Sequence, residues 1–217
     1  RLDSSFGQGG TVLNGLGQSI GSLVTKDGGF IFGSATRGTE FSFDVPAKTK
    51  LLSNGQVDLS FNPNPVFTPG GAAISLNHLV SIYDADAFIQ YPAVEWSYAG
   101  TTLTIQRAGT ASVDDRFGGL GSVSFVDTTL DPSDRGLLKV GDVAIGTYEQ
   151  ANGKLSITFN SDATQARVDD ALSSLTYRNA GTSAPAELKL LVSVSDATST
   201  DQATLTLLNA ALPAPGK

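Results

Sequence analysis

Residues 80–107 read V-S-I-Y-D-A-D-A-F-I-Q-Y-P-A-V-E-W-S-Y-A-G-T-T-L-T-I-Q-R, and their pattern decides the fold class. Val80, Ile82 and Phe88 place apolar side chains on either side of two nearby carboxylates, Asp84 and Asp86. Farther on, Leu103 and Ile105 alternate with Thr102, Thr104 and Gln106, the period-two pattern of a half-buried strand. The stretch therefore predicts a strand, an acidic turn and a second strand. A D-A-D turn gathers hard oxygen donors of the kind calcium prefers. Asp in a turn also bonds its own backbone, so a plain structural turn is the competing reading.

Composition agrees with an all-β chain. Of 217 residues, 24 are Gly and 9 are Pro, which implies many turns, and 40% are hydrophobic, enough for a real core. Charged residues make up only 16%. The formal net charge of −7 offers no basic stripe to phosphates and argues against nucleic acid. It suits a secreted protein or a cation-binding surface, and equally an ordinary acidic surface. Cys is absent, so neither disulfides nor thiolate metal sites contribute, and stability must come from the core and from any bound ions. No apolar run approaches the ~20 residues of a membrane helix, so a soluble protein without membrane insertion is expected. The chain lacks Met and begins at Arg1, as expected for an excerpt or a processed product.

Two prolines in Asn62-Pro63-Asn64-Pro65 favour extended backbone and mark the predicted module boundary. Before it, Leu2-Asp3-Ser4-Ser5-Phe6 and Val57-Asp58-Leu59-Ser60-Phe61 share a signature at a spacing typical of repeats. Between them, I-G-S-L-V, the turn Lys26-Asp27-Gly28-Gly29 and F-I-F-G predict a hairpin, and Asn54-Gly55 predicts another. After the boundary, turns fall at Ala99-Gly100, Gly141-Asp142 and Asn152-Gly153, the last being the strongest hairpin signal in the chain. Further strands are predicted over 187–195 and 202–208. One helix is predicted over 162–175, where Val168, Ala171, Leu172 and Leu175 form an apolar stripe and Asp162 or Thr164 supplies the cap. Residues 210–217 read as the start of a linker.

Residues 1–62 resemble the delta-60 repeat of bacterial proteins through the Asp-x-Ser-Phe tag and the two turns in order. That resemblance implies a small antiparallel, propeller-type β unit. The succession V-S-I-Y-D-A-D, Y-A-G-T-T-L-T-I-Q-R, D-D-R-F-G, L-S-I-T-F, Q-A-R-V-D-D-A-L-S-S-L-T-Y-R-N and L-V-S-V-S-D, over residues 66–208, is similar to the cadherin-like repeat modules of large bacterial adhesins and secreted repeat proteins. It implies an antiparallel immunoglobulin/cadherin-like β-sandwich over 66–209 with one inserted helix. It further implies that Asp84 and Asp86 share a pole with Asp196, facing the preceding module, where calcium would stiffen the junction. Such an ion needs six to eight oxygens at about 2.3–2.6 Å. One departure is Pro69, which stands where an acidic residue often follows Phe/Tyr-Thr in that family.

Other acidic residues read as solvated turns, namely Asp114-Asp115, Asp127, Asp131 and Asp134, while Asp169-Asp170 read as the wet face of the helix. His78 is the sole histidine and has no nucleophile motif beside it, so it reads as a surface residue and not as a general base. Trp96 reads as core, with Tyr91 and Tyr98 at a rim. No catalytic residue is assigned. The expected function is a non-enzymatic structural or adhesive module of a bacterial surface or secreted multidomain protein. Its partners would be neighbouring domains and a surface glycan or protein. The alternatives are a glycan- or peptide-binding module and an accessory or catalytic part of a secreted hydrolase.

Overall fold

A computed structural model describes residues 19–24, 30–34, 41–43, 47–51, 64–76, 82–84, 97–128, 134–197 and 199–210. The described chain is mostly β-strand with one short helix, as its alternating sequence requires. In the first part, β1 (Ser19–Val24), β2 (Phe30–Ser34) and β4 (Ala47–Leu51) form an antiparallel sheet in the order β1-β2-β4. The strands predicted on either side of the Lys26–Gly29 turn are therefore paired with each other. Strand β3 (Phe41–Phe43) pairs with β7 (Ile82–Asp84), so hydrogen bonds link the two sides of the Asn62–Pro65 stretch. The turn predicted at Asn54-Gly55 lies outside the described residues.

The largest sheet holds eight strands. β8 (Thr102–Arg107) lies centrally, between β13 (Lys154–Phe159) and β15 (Glu187–Ser195). Beyond β13 come β12 (Val143–Ala151), β11 (Asp134–Val140) and the edge strand β10 (Val123–Asp127). Beyond β15 come β16 (Thr200–Asn209) and β5 (Val66–Phe67). Every pairing is antiparallel except β5 with β16, which is parallel. A second sheet has the order β6-β14-β9, from β6 (Ile74–Ser75), β14 (Leu175–Asn179) and β9 (Asp115–Gly119).

The alternation seen in the sequence sets the core. Leu103 and Ile105 are fully buried while Thr102, Thr104 and Gln106 are half-buried on the other face. Leu155, Ile157 and Phe159 do the same in β13, and Leu188, Leu190, Val192 and Val194 in β15. Apolar side chains from the three-stranded sheet, including Phe117, Leu175 and Tyr177, join the same core.

The turn chemistry matches the sequence. Asn152 and Gly153 both take left-handed φ, 52° and 76°, and connect β12 to β13 as a two-residue hairpin. In β12 the alternation shifts phase, because Ile145 and Gly146 are both buried. A bulge opposite Leu138/Lys139 causes the shift. Asn160 repairs the interrupted ladder, donating Nδ2–H to the Ala144 carbonyl at 2.8 Å and its backbone N–H to Ile145 at 3.0 Å. Past the bulge, Tyr148 and Gln150 point into the core.

The helix, α1, spans Gln165–Ser173, shorter than its predicted range. Asp162 belongs to a turn, its N–H donating to Asn160 Oδ1 at 2.8 Å. Thr164 is the N-cap by its extended backbone, without a side-chain capping bond. At the far end the Ser174 N–H closes onto the Ala171 and Leu172 carbonyls, and Leu175 already belongs to β14. The apolar stripe holds: Val168, Ala171, Leu172 and Leu175 are buried, and Asp169 and Asp170 are exposed. No helix among the described residues is long and apolar enough to cross a membrane.

Candidate functional site

The motifs D-D-R-F-G, L-T-I-Q-R and L-T-Y-R-N lie far apart in sequence, yet the fold brings their polar residues to one buried carboxylate. Asp115 opens β9 and is 0% exposed. Arg107, at the end of β8, donates Nε–H to its Oδ2 at 2.9 Å and Nη2–H to its Oδ1 at 2.7 Å. From β14, the Tyr177 hydroxyl donates to Oδ1 at 2.7 Å and Asn179 Nδ2–H donates to the same oxygen at 3.1 Å. The reading of Asp114-Asp115 as a solvated turn is thus corrected for Asp115. Its carboxylate faces inward with Phe117, while Arg116 between them faces out. A charge this deeply buried is tolerated only with such a set of donors.

The electrostatics follow from that geometry. Burial is the main cause raising the Tyr177 phenol above its usual range, and donation to Asp115 adds to it. The hydrogen bond with Asp115 is the largest influence raising Arg107, so its charge is held more firmly still. Phe67 and Phe117 pack on Tyr177 with ring centroids at 5.5 and 5.8 Å, fixing where its hydroxyl points.

A second polar group joins the two sheets. Gln150 of β12 accepts the Phe117 N–H through Oε1 and donates Nε2–H to the Phe117 carbonyl at 3.3 Å and to Asp134 Oδ2 at 2.6 Å. Its amide takes the place of a missing neighbouring strand on the outer edge of β9. The Tyr148 hydroxyl donates to Asp134 Oδ1 at 2.9 Å, and its phenol is raised first by burial and then by that bond. Asp134 is therefore anchored at the start of β11 and does not lie in a loop; Asp127 ends β10 and is exposed.

The residues singled out for calcium fall as follows. Asp84 closes β7, opposite Phe41 of β3. Asp86 lies outside the described residues, as do Asp131, His78, Tyr91 and Trp96. Asp196 is exposed in the turn between β15 and β16, where its Oδ1 accepts the Ser199 N–H at 2.8 Å. Tyr98 departs from its expected rim position and is 1% exposed, with its hydroxyl 3.0 Å from the Ile82 carbonyl and 2.7 Å from Gln165 Oε1. It ties β7 to the start of α1.

On the solvent face of the eight-stranded sheet, a cleft of about 320 Å³ opens over β11, β12 and β13. Thr147, Ser156 and Thr158 line it with hydroxyls, and Arg135 and Glu149 bring one charge of each sign. Sequence reasoning found the strands but not this cleft, because its lining depends on cross-strand register. Comparison with known proteins yields no matching family model, no similar curated protein and no similar solved structure.

Proposed function

We propose that residues 66–209 form a cadherin-like β-sandwich module of the immunoglobulin type, a non-enzymatic structural or adhesive element of a secreted or surface-located bacterial multidomain protein. Residues 1–62 would be a delta-60-like unit preceding it. The observation that carries the reading is the parallel pairing of β5 with β16, Val66 beside Leu208 and Phe67 beside Asn209. A module closed this way receives and passes on the chain in the same direction, as a spacer in a string of domains requires. Arg107, Tyr177 and Gln150 spend their polar groups on buried neighbours and on backbone, which is the economy of a scaffold.

In this proposal calcium bound by Asp84, Asp86 and Asp196 stiffens the junction with the preceding unit. Thermal melts of wild type and Asp86→Ala in chelator and in millimolar calcium test it, with proteolysis around Asn62–Pro65 as a second readout. Calcium tenfold above Kd raises stability by about 1.4 kcal/mol. Identical wild-type melts and cleavage in both conditions would exclude the junction site.

A second reading, a glycan-binding module, is favoured by the hydroxyl-lined cleft over β11–β13. Shifts of Thr147, Ser156 and Thr158 resonances on titration with neutral oligosaccharides would support it. Unchanged resonances would leave the spacer role alone.

A further inference from the structure

The hydroxyls that line the cleft over β11–β13 do not stop at its edge. Antiparallel register carries them across the large sheet in two rows. In the first, Thr147 of β12 stands beside Thr158, Thr158 beside Thr102, Thr102 beside Ser195, and Ser195 beside Thr200. In the second, Glu149 is followed by Ser156, Thr104, Ser193 and Gln202 on the same strands. Alternate residues of a strand share a face, so both rows lie on the side away from buried Leu103, Ile157 and Val194. None of the residues in the rows is buried.

Thr suits an exposed strand position whatever lies above it, so the hydroxyls alone say little. Their pattern says more. From β13 to β16 neither row contains a charged side chain, whereas an outer face usually intersperses charges of both signs. The charges gather at the cleft end, where Glu149 stands opposite Arg135 and Lys154 lies two residues from Ser156 on β13. The Thr102 and Thr158 hydroxyls approach each other at 3.5 Å, and the other hydroxyls of the rows have no hydrogen-bond partner among the described residues.

We infer that the sugar site runs from the cleft along both rows to β16 and takes a linear, uncharged polysaccharide laid across the strands; this rests on the glycan-binding reading above. Adjacent strands stand about 4.7–4.9 Å apart, so the five strands span about 19 Å, the length of several sugar units and not of one. Side-chain hydroxyls both donate and accept, as do the hydroxyls of each successive sugar, so the same exchange repeats along the chain. An anionic polysaccharide would find no cation in either row beyond β13. A chain can also follow the twist of the sheet by rotating about its linkages, which a rigid ligand cannot.

Resonance titrations with cellobiose and cellohexaose, mannobiose and mannohexaose, and maltose and maltohexaose test it. At least one hexasaccharide should bind at least about tenfold tighter than its disaccharide, since each added unit brings further hydrogen bonds. It should shift Ser193, Ser195 and Thr200 together with Thr147, Ser156 and Thr158, while the disaccharide shifts the cleft residues alone. Ser193→Lys sets a charge in the middle of the rows and should reduce hexasaccharide affinity to that of the disaccharide, leaving the disaccharide unaffected. Gln202→Lys, at an exposed position where folding is not at stake, should weaken the hexasaccharide alone by at least about threefold. If hexasaccharides bind no tighter than disaccharides and only cleft resonances move, the extension is overturned and the cleft reading stands. If no sugar moves either set, both fall. Hexasaccharide binding by both variants at wild-type affinity would likewise overturn the rows.

Discussion

Arg107 holds Asp115 by both carboxylate oxygens, and this pair joins the central strand β8 of the large sheet to the edge strand β9 of the small one. The side chains are unequally sheltered, 17% exposed for Arg107 and 0% for Asp115. Removing the arginine therefore leaves the deeper charge behind. Arg107→Met should lower stability by about 3–5 kcal/mol, read from a denaturant midpoint. A variant within about 0.5 kcal/mol of wild type would mean Tyr177 and Asn179 suffice for that carboxylate.

High pH should weaken the fold through the buried phenols. The folded-state values of Tyr177 and Tyr148 lie above the usual range, for which the reference is about 10. Below that reference both states keep the proton and the stabilisation is fully present. Above it the unfolded chain releases the proton first, so stability falls as pH rises, by about 1.4 kcal/mol per pH unit for each such group. Tyr177→Phe should remove one such contribution from the slope of stability against pH between about 10 and 11. Lysine titration is common to both proteins and cancels in the comparison. Equal slopes would place the Tyr177 hydroxyl in contact with solvent.

Gln150 is expected to act as a clasp on β9. Gln150→Leu leaves the Phe117 N–H and carbonyl without their side-chain partner and should cost about 1–3 kcal/mol. Hydrogen exchange supplies the more specific readout, since the Phe117 amide should exchange faster while Leu155 in β13 stays protected. Uniform loss of protection would instead mean the whole core loosens.

Leu172 is 1% exposed and packs α1 onto the core. Leu172→Ala should cost about 2–5 kcal/mol. An unchanged denaturation midpoint would show that the helix is dispensable to the core.

What could be read in advance follows from the range of the forces involved. The strands over 102–107, 154–159 and 187–195, the Asn152-Gly153 turn and the apolar stripe of the helix rest on local periodicity and local backbone preference, and sequence carries both. Asp115 reads as a solvated turn because the donors that allow its burial come from β8 and β14. A signal was nevertheless present: Asp115 shares strand parity with Phe117, and Asn179 with Leu175 and Tyr177, so each polar residue occupies a core-facing position. The phase shift at Ile145 was equally hidden, since a bulge is fixed by the partner strand. The Asn179 oxygen, without a hydrogen-bond partner among the described residues, has no local signal in the sequence, because its surroundings arise from how β14 meets the loop before β9.

The closure between β5 and β16 also bears on force. Leu208 N–H donates to the Pro65 carbonyl at 2.9 Å and Ala210 N–H to the Phe67 carbonyl at 2.8 Å, across strands that run the same way. Pulling residue 65 backward and residue 210 forward drags these strands past each other along their length. Both bonds are then strained together, and Phe67, 2% exposed, must be dragged from the core at the same moment. An antiparallel closure at the same place would instead open one bond at a time. Since forced unfolding is governed by the unfolding rate, tension applied at residues 65 and 210 meets both bonds and the burial of Phe67 together.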